Sequence, residues 1–381
     1  MKLDKSRIEM ERTPFYFYDM NVLHATLDEI KKWGVDRGVH VHYAIKANNN
    51  PDILKIIRKA GLGADCVSGG EILAAGEAGF SPENIFYAGV GKTDEEIILG
   101  LEKGIGCFNV ESVEELQIIQ ELASECGKVA PVALRVNPDI DAHTHEYITT
   151  GLEENKFGID MRRLDEAVEM ATKAKNIDLI GLHFHIGSQI TINDPFALLC
   201  ERINSFVEHF REKGVEFRIL NVGGGLGIDY DDPDGHPVPD FKGYFDTLVN
   251  GIKLSAGQQI HCELGRSVVG QCGSLISKVI FVKEGIGRKF LIVDAGFNDL
   301  IRPALYGAHH KIEAVNPSDE APLEKYDVVG PICESSDVFG KDEILPRMKR
   351  GDYVALRSAG AYGESMSSQY NMRRLPGYLL V

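Results

Sequence analysis

Between residues 40 and 266 the chain repeats one hydrophobic rhythm: a short apolar run, a turn, then apolar residues at helical spacing. The short runs are 42–47, 63–68, 85–89, 106–110, 132–137, 181–187, 219–224 and 260–265. The longer segments carry helix-end signals. Asn50 before Pro51 suits an N-cap followed by a first-turn proline, and Gly61 suits a C-terminal stop. Ser68 with Glu71, and Ser112 with Glu115, have capping-box spacing. Strand alternating with helix predicts a parallel sheet. Eight such units over about 240 residues fit a (β/α)₈ TIM-type barrel, with an open doubly wound sheet as the alternative.

After residue 267 the rhythm changes. Runs at 274–284, 289–296, 326–333 and 352–360 read as strands joined by turns, while 311–325 and 342–350 are polar and read as loops. The strand-like TPFYFYD (13–19) precedes the first barrel helix and is expected to pair with these later strands. A chain of 381 residues also exceeds one hydrophobic core. The expected division is a barrel over 22–267 and a second domain, a β-sandwich or β-barrel, from 1–21 together with 268–381.

Composition narrows the function. A formal charge of −16 argues against nucleic acid or an anionic membrane surface as partner. The seven cysteines are odd in number and form no CxxC pair, which suits reduced thiols and a cytoplasmic location. No run approaches the ~20 apolar residues of a membrane span, and the N-terminus has no apolar signal core.

In a barrel of this type, chemistry collects at the C-terminal ends of the strands. Lys46, His185, the run Gly223-Gly224-Gly225 and Glu263 all fall there. Lys46, set in an apolar run, is either a desolvated nucleophilic amine or a strand-end partner in an ion pair. The glycines either let a phosphate approach backbone N–H groups or simply make a turn. Glu263 needs a cation, which a pyridinium nitrogen or the nearby Arg266 could supply. His183 and His185 could be two metal ligands, but no clear third or fourth accompanies them. A flat imidazole stacked on a flat cofactor suits the phosphate reading better, so no metal is expected.

Taken together, YAIKAN (43–48), LRVNPDIDAHTHEYITTGLEENKFGI (134–159), HFHIGSQI (183–190), NVGGGLGIDY (221–230) and ELGRS (263–267) resemble the barrel of the fold-type III, alanine racemase-like, PLP-dependent decarboxylases. DAGFNDLIRPALYGAHH (294–310), GPICESSD (330–337) and GAYGESMSSQYN (360–371) resemble the second domain of the diaminopimelate decarboxylase branch. The family usually has proline where Leu264 stands; no functional side chain is lost by that change.

The resemblance implies a cofactor, pyridoxal 5′-phosphate, and decarboxylation of meso-diaminopimelate to L-lysine through an external aldimine and a quinonoid. It implies that Lys46 holds the cofactor, His185 stacks on its ring, Glu263 pairs with its nitrogen, and Asp65 lies nearby. Ser188, Gly223, Gly224, Gly225, Gly265, Arg266 and Tyr362 would surround the phosphate. Arg266, Arg302, Tyr306 and Tyr362 would hold substrate, and Glu334 would read its distal ammonium. Cys333 and Glu334 would enter the active site of the neighbouring subunit, making the active form a homodimer. Cys333 would be the proton donor, with Lys46 as the other candidate. The rival readings are a decarboxylase of ornithine, arginine or carboxynorspermidine, and a catalytically silent regulator of the same fold.

Overall fold

The computed structural model describes residue 1, residues 3–138, residue 140, residues 156–318 and residues 320–381. The middle of the 134–159 motif lies outside them. The chain divides into two compact units, one of 26–227 and 240–265, the other of 1–25, 228–239 and 266–381.

Strand β1 (Phe15–Tyr18) belongs to the second unit. The next eight strands close into a parallel barrel in sequence order. They are β2 (Val39–Ala44), β3 (Gly63–Cys66), β4 (Ile85–Tyr87), β5 (Cys107–Val110), β6 (Ala130–Arg135), β7 (Ile177–His183), β8 (Ile219–Asn221) and β9 (Gln259–Leu264). Closure is made by β9 pairing with β2, with Val39 opposite Ile260 and Tyr43 opposite Leu264. The expected barrel is therefore the observed one, and the open sheet is excluded.

Helices form where the sequence marks their ends. Asn50 accepts from the backbone N–H groups of Asp52 and Ile53 at the start of Pro51–Lys59. Ser68 and Ser112 each cap a helix, but the glutamate three residues on does not close the expected box. Glu71 instead accepts from the N–H of Val67, and Glu115 from that of Glu111. The reciprocal box is Thr93 with Glu96.

Side chains two apart on a strand share a face, so the barrel interior is layered. Near the N-terminal ends of the strands, His42 on β2 and His261 on β9 share a hydrogen bond of 2.9 Å, and Phe86 of β4 packs on His42 at 4.0 Å. Two residues further along β9 the interior position is Glu263.

The second unit is built on one eight-stranded mixed sheet. Its other strands are β10 (Gly273–Gly285), β11 (Arg288–Val293), β12 (Ile312–Val315), β13 (Leu323–Val329), β14 (Val338–Pro346), β15 (Tyr353–Leu356) and β16 (Gly377–Leu380). A bulge between Val279 and Phe281 divides β10. Its first half pairs with β1 and β15, its second half with β11. Residues 311–325 and 342–350, read as loops, contribute β12, the start of β13 and the end of β14. These are edge-type strands with charged outward residues, whose hydrophobic signal is diluted. Only short helices interrupt this unit, among them Arg266–Val269 and Arg302–Tyr306.

Candidate active site

The barrel unit gathers its polar interior at the C-terminal ends of its strands. Glu263, on β9, is buried and takes three hydrogen bonds. Asn109 Nδ2 of β5 and Asn221 Nδ2 of β8 donate to Oε1 at 3.0 and 2.8 Å. Nε2 of His183, the last residue of β7, lies 3.0 Å from Oε2. Burial alone would raise this acid, but the hydrogen bond with His183 and the charge of Lys46 outweigh it and hold Glu263 well below the usual carboxylate range. It is an ionised carboxylate inside the barrel.

Asp65, on β3, is its opposite. It is buried with Oδ1 lacking a hydrogen-bond partner among the described residues, and burial followed by the charge of Glu263 pushes it well above the ordinary carboxyl range, against the pull of Lys46.

Lys46 is not on the strand. The chain leaves β2 after Ala44 and enters a 3₁₀ turn, Ile45–Ala47, so strand alternation no longer applies. The turn buries Ile45 and Ala47 and leaves Lys46 exposed, contrary to the desolvated lysine its apolar neighbours suggested. Its charge nonetheless acts on Asp65, Glu71, His185 and Glu263, which places all four in its field.

His185 likewise lies beyond its strand; β7 ends at His183. The backbone N–H of Gly224 donates to its Nδ1 at 3.2 Å. Desolvation, then Arg135 and Lys46, hold this imidazole well below its ordinary pKa, so the ring is neutral and flat.

The glycine run is dictated by packing. A Cβ on Gly223 would lie 2.1 Å from the carbonyl oxygen of Phe184, and one on Gly224 2.0 Å from that of Glu263. Gly223 and Gly225 also have φ of 70° and 120°. The loops after β7 and β8 are joined by Ile190 N–H to Gly225 O at 2.9 Å and Gly227 N–H to Ile190 O at 2.9 Å, with Ser188 in the first loop. Gly265 follows Leu264 at the end of β9 and is buried.

In the second unit, Arg266 and Arg302 are both buried and flank Tyr230. Arg266 donates to the Tyr230 hydroxyl at 2.6 Å, and its guanidinium lies 4.9 Å from the Tyr362 ring centre. The Arg302 guanidinium lies 4.8 Å from the Tyr230 ring centre and donates to His310 Nε2 at 2.8 Å. Among the described residues no carboxylate forms an ion pair with Arg302. Tyr306 acts electrostatically on Arg266, so it shares this neighbourhood. Tyr362 has φ of 56°, a strained position for an aromatic residue.

Cys333 and Glu334 form a separate group, with no hydrogen bond or ion pair to Arg302 or Tyr306 among the described residues. Both are exposed. The Cys333 N–H donates to Asn371 Oδ1 at 3.2 Å, and Tyr370 donates its hydroxyl to Glu334 Oε1 at 2.6 Å.

A family model described as the pyridoxal-dependent decarboxylase, pyridoxal binding domain, matches residues 24–270. This chain belongs to that family. It is 58% identical to a diaminopimelate decarboxylase of Bacteroides thetaiotaomicron over 96% of this chain and 95% of the relative. The same activity names a relative in Aquifex aeolicus, 43% identical over 97% of this chain and 86% of the other. The crystal structure of diaminopimelate decarboxylase from Helicobacter pylori complexed with L-lysine superposes with a TM-score of 0.93 at 39% identity, covering 99% of this chain and 93% of that one.

The cofactor of the family is pyridoxal phosphate, and the barrel's chemistry fits it. An ionised buried carboxylate suits a protonated ring nitrogen, a neutral imidazole suits the ring face, and a lysine on the rim suits the aldehyde. Asn109, Asn221 and Tyr230 escaped the sequence reading of the site, and His183 was weighed there only as a metal ligand. The two asparagines did carry a signal, as polar residues inside apolar strand runs.

Proposed function

We propose that this protein removes carbon dioxide from meso-diaminopimelate and releases L-lysine, acting as a cytoplasmic homodimer. The observation that carries the chemistry is the ionised Glu263 inside the barrel, held by three side chains and lying in the field of Lys46. The relatives' activity and the buried arginine pair carry the choice of substrate. Among the described residues no helix is long and apolar enough to cross a membrane.

When bound, pyridoxal phosphate supplies an electron sink for the pair left behind by the departing carboxylate. Lys46 would hold the cofactor through Nζ. His185 would lie against the ring and Glu263 would hold the ring nitrogen in its protonated form, with Asp65 nearby. Ser188, Gly223 to Gly225, Gly265, Arg266 and Tyr362 receive the phosphate.

Arg266, Arg302, Tyr306 and Tyr362 hold substrate, the guanidiniums taking carboxylate oxygens through planar paired N–H groups. Glu334 takes the distal ammonium. Cys333 delivers a proton to the α-carbon, with the amine of Lys46 as the other candidate. Both residues of the Cys333–Glu334 pair act in the partner subunit's site. Their exposure, beside Tyr370 and Met372 at 45% and 98% exposure, supports a role at an interface.

The test is carbon dioxide release by the cofactor-loaded protein, with meso-diaminopimelate, ornithine, arginine and carboxynorspermidine supplied in parallel. Release from diaminopimelate alone, with lysine as product, is the expected result. Release only from another substrate overturns the specificity assignment while keeping the chemistry.

A further inference from the structure

The two oxygens of Glu263 are engaged unequally. Oε1 receives two amide hydrogen bonds, from Asn109 and Asn221, which occupy its roughly two lone-pair directions. Oε2 has one hydrogen-bond partner among the described residues, His183 Nε2 at 3.0 Å. We infer that His183 is a positioning residue for the cofactor: a neutral imidazole, protonated on Nε2, that aims the remaining lone pair of Glu263 Oε2 at the ring nitrogen and leaves the carboxylate charge undiminished. This rests on the assignment of Glu263 to that nitrogen.

The neutral form follows from the other ring atom. His183 Nδ1 is buried and has no hydrogen-bond partner among the described residues. An imidazolium would carry an N–H there with nothing to accept it, and a stranded charged donor costs more than an under-used lone pair. A charged His183 would neutralise Glu263 and weaken its hold on a protonated ring. The neutral donor orients the carboxylate without competing for its charge.

The experiment uses the full-length protein, stripped of cofactor and titrated with pyridoxal phosphate labelled with ¹⁵N in the ring. Cofactor affinity and the ¹⁵N resonance of the ring nitrogen are the readouts, with circular dichroism as the control for folding. His183→Gln, which keeps a neutral donor, stays within about twofold of the parent affinity. His183→Leu, which removes the donor, binds about tenfold more weakly and shifts the ring resonance toward the unprotonated form, as Glu263→Gln does.

Imidazole ¹⁵N spectra of the parent should show His183 with one protonated and one bare nitrogen. The inference is overturned if His183 gives imidazolium signals, or if His183→Leu keeps a protonated ring while Glu263→Gln loses it. If Glu263→Gln leaves the ring nitrogen unchanged, the assignment of Glu263 itself fails, and this inference fails with it.

Discussion

Gly224→Ala separates two meanings of the glycine run. If the run is only a turn, an added methyl group costs little more than it would at any loop glycine. The packing says otherwise. The new Cβ would stand 2.0 Å from the backbone oxygen of Glu263, where a carbon and an oxygen need about 3.2 Å or more. The nearest atom is backbone rather than a flexible side-chain end, so β8 and β9 must separate by roughly an ångström at that point.

Overpacking of that kind costs about 1–3 kcal/mol. Separating the strands also draws the Gly224 N–H away from His185 Nδ1, which adds about 1 kcal/mol. The expected destabilisation is therefore about 2–4 kcal/mol, read from urea unfolding midpoints at constant slope. Gly38→Ala is the reference. Its φ is 84° with nothing within 4 Å, so it carries only a backbone cost of about 1–2 kcal/mol. Gly223→Ala combines both penalties and should exceed either. Equal midpoints for Gly224→Ala and Gly38→Ala would refute the packing argument.

Three further outcomes are expected. Burial holds His42 at about 4 and, with His42 and His40 beside it, His261 at about 2, both below the ordinary imidazole value. Stability from these neutral rings is fully present above pH ~6.5 and is lost as pH falls toward 4, since the unfolded chain binds the protons first. Urea midpoints measured across that range should drop, and His42→Phe should flatten the fall; an unchanged slope counts against the histidine pair as its source. Cys333→Ala should leave thermal stability within about 0.5 kcal/mol, because the thiol packs on little within its own subunit, while turnover falls strongly with the cofactor still bound; full turnover would remove the thiol as proton donor. Asp337→Ala should loosen the loop that carries Cys333. Its two oxygens accept from Phe297 N–H and Ile332 N–H, each at 2.7 Å, and losing both costs about 2–4 kcal/mol by calorimetry, with a rise in KM if the loop meets substrate.

The barrel was legible because its strands are short apolar runs, most of them followed by a capped helix, and local signals of that kind survive folding. The β unit was harder. The start of β13, Leu323 to Lys325, is largely charged and exposed, and β16 (Gly377–Leu380) stands partly exposed, so neither announces a strand before its partners are known. Lys46 and His185 were read as strand-end residues, yet both lie past the last strand residue. A run such as YAIKA does not reveal where extended geometry gives way to a turn. The amides of Asn109 and Asn221 were missed for another reason: their value comes from converging on one oxygen, and convergence belongs to the closed barrel rather than to either strand.

That convergence explains how one barrel interior keeps two carboxyl groups in different states. Asp65 and Glu263 are both buried, and two unshielded negative charges in one low-dielectric space are costly. Glu263 has the Asn109 and Asn221 amides and the imidazole of His183, so it takes the charge. Asp65 has an oxygen with no donor among the described residues and faces the charge of Glu263, which together with burial pushes it well above the ordinary carboxyl range. The asymmetry leaves a single anion to meet a cationic ring. Removing the donors should narrow the gap between the two acids. In an Asn109→Leu, Asn221→Leu double variant, Glu263 should rise and Asp65 fall, visible by ¹³C-carboxyl titration of the cofactor-free protein. Unmoved carboxyl titrations would show that the amides orient Glu263 without setting its charge.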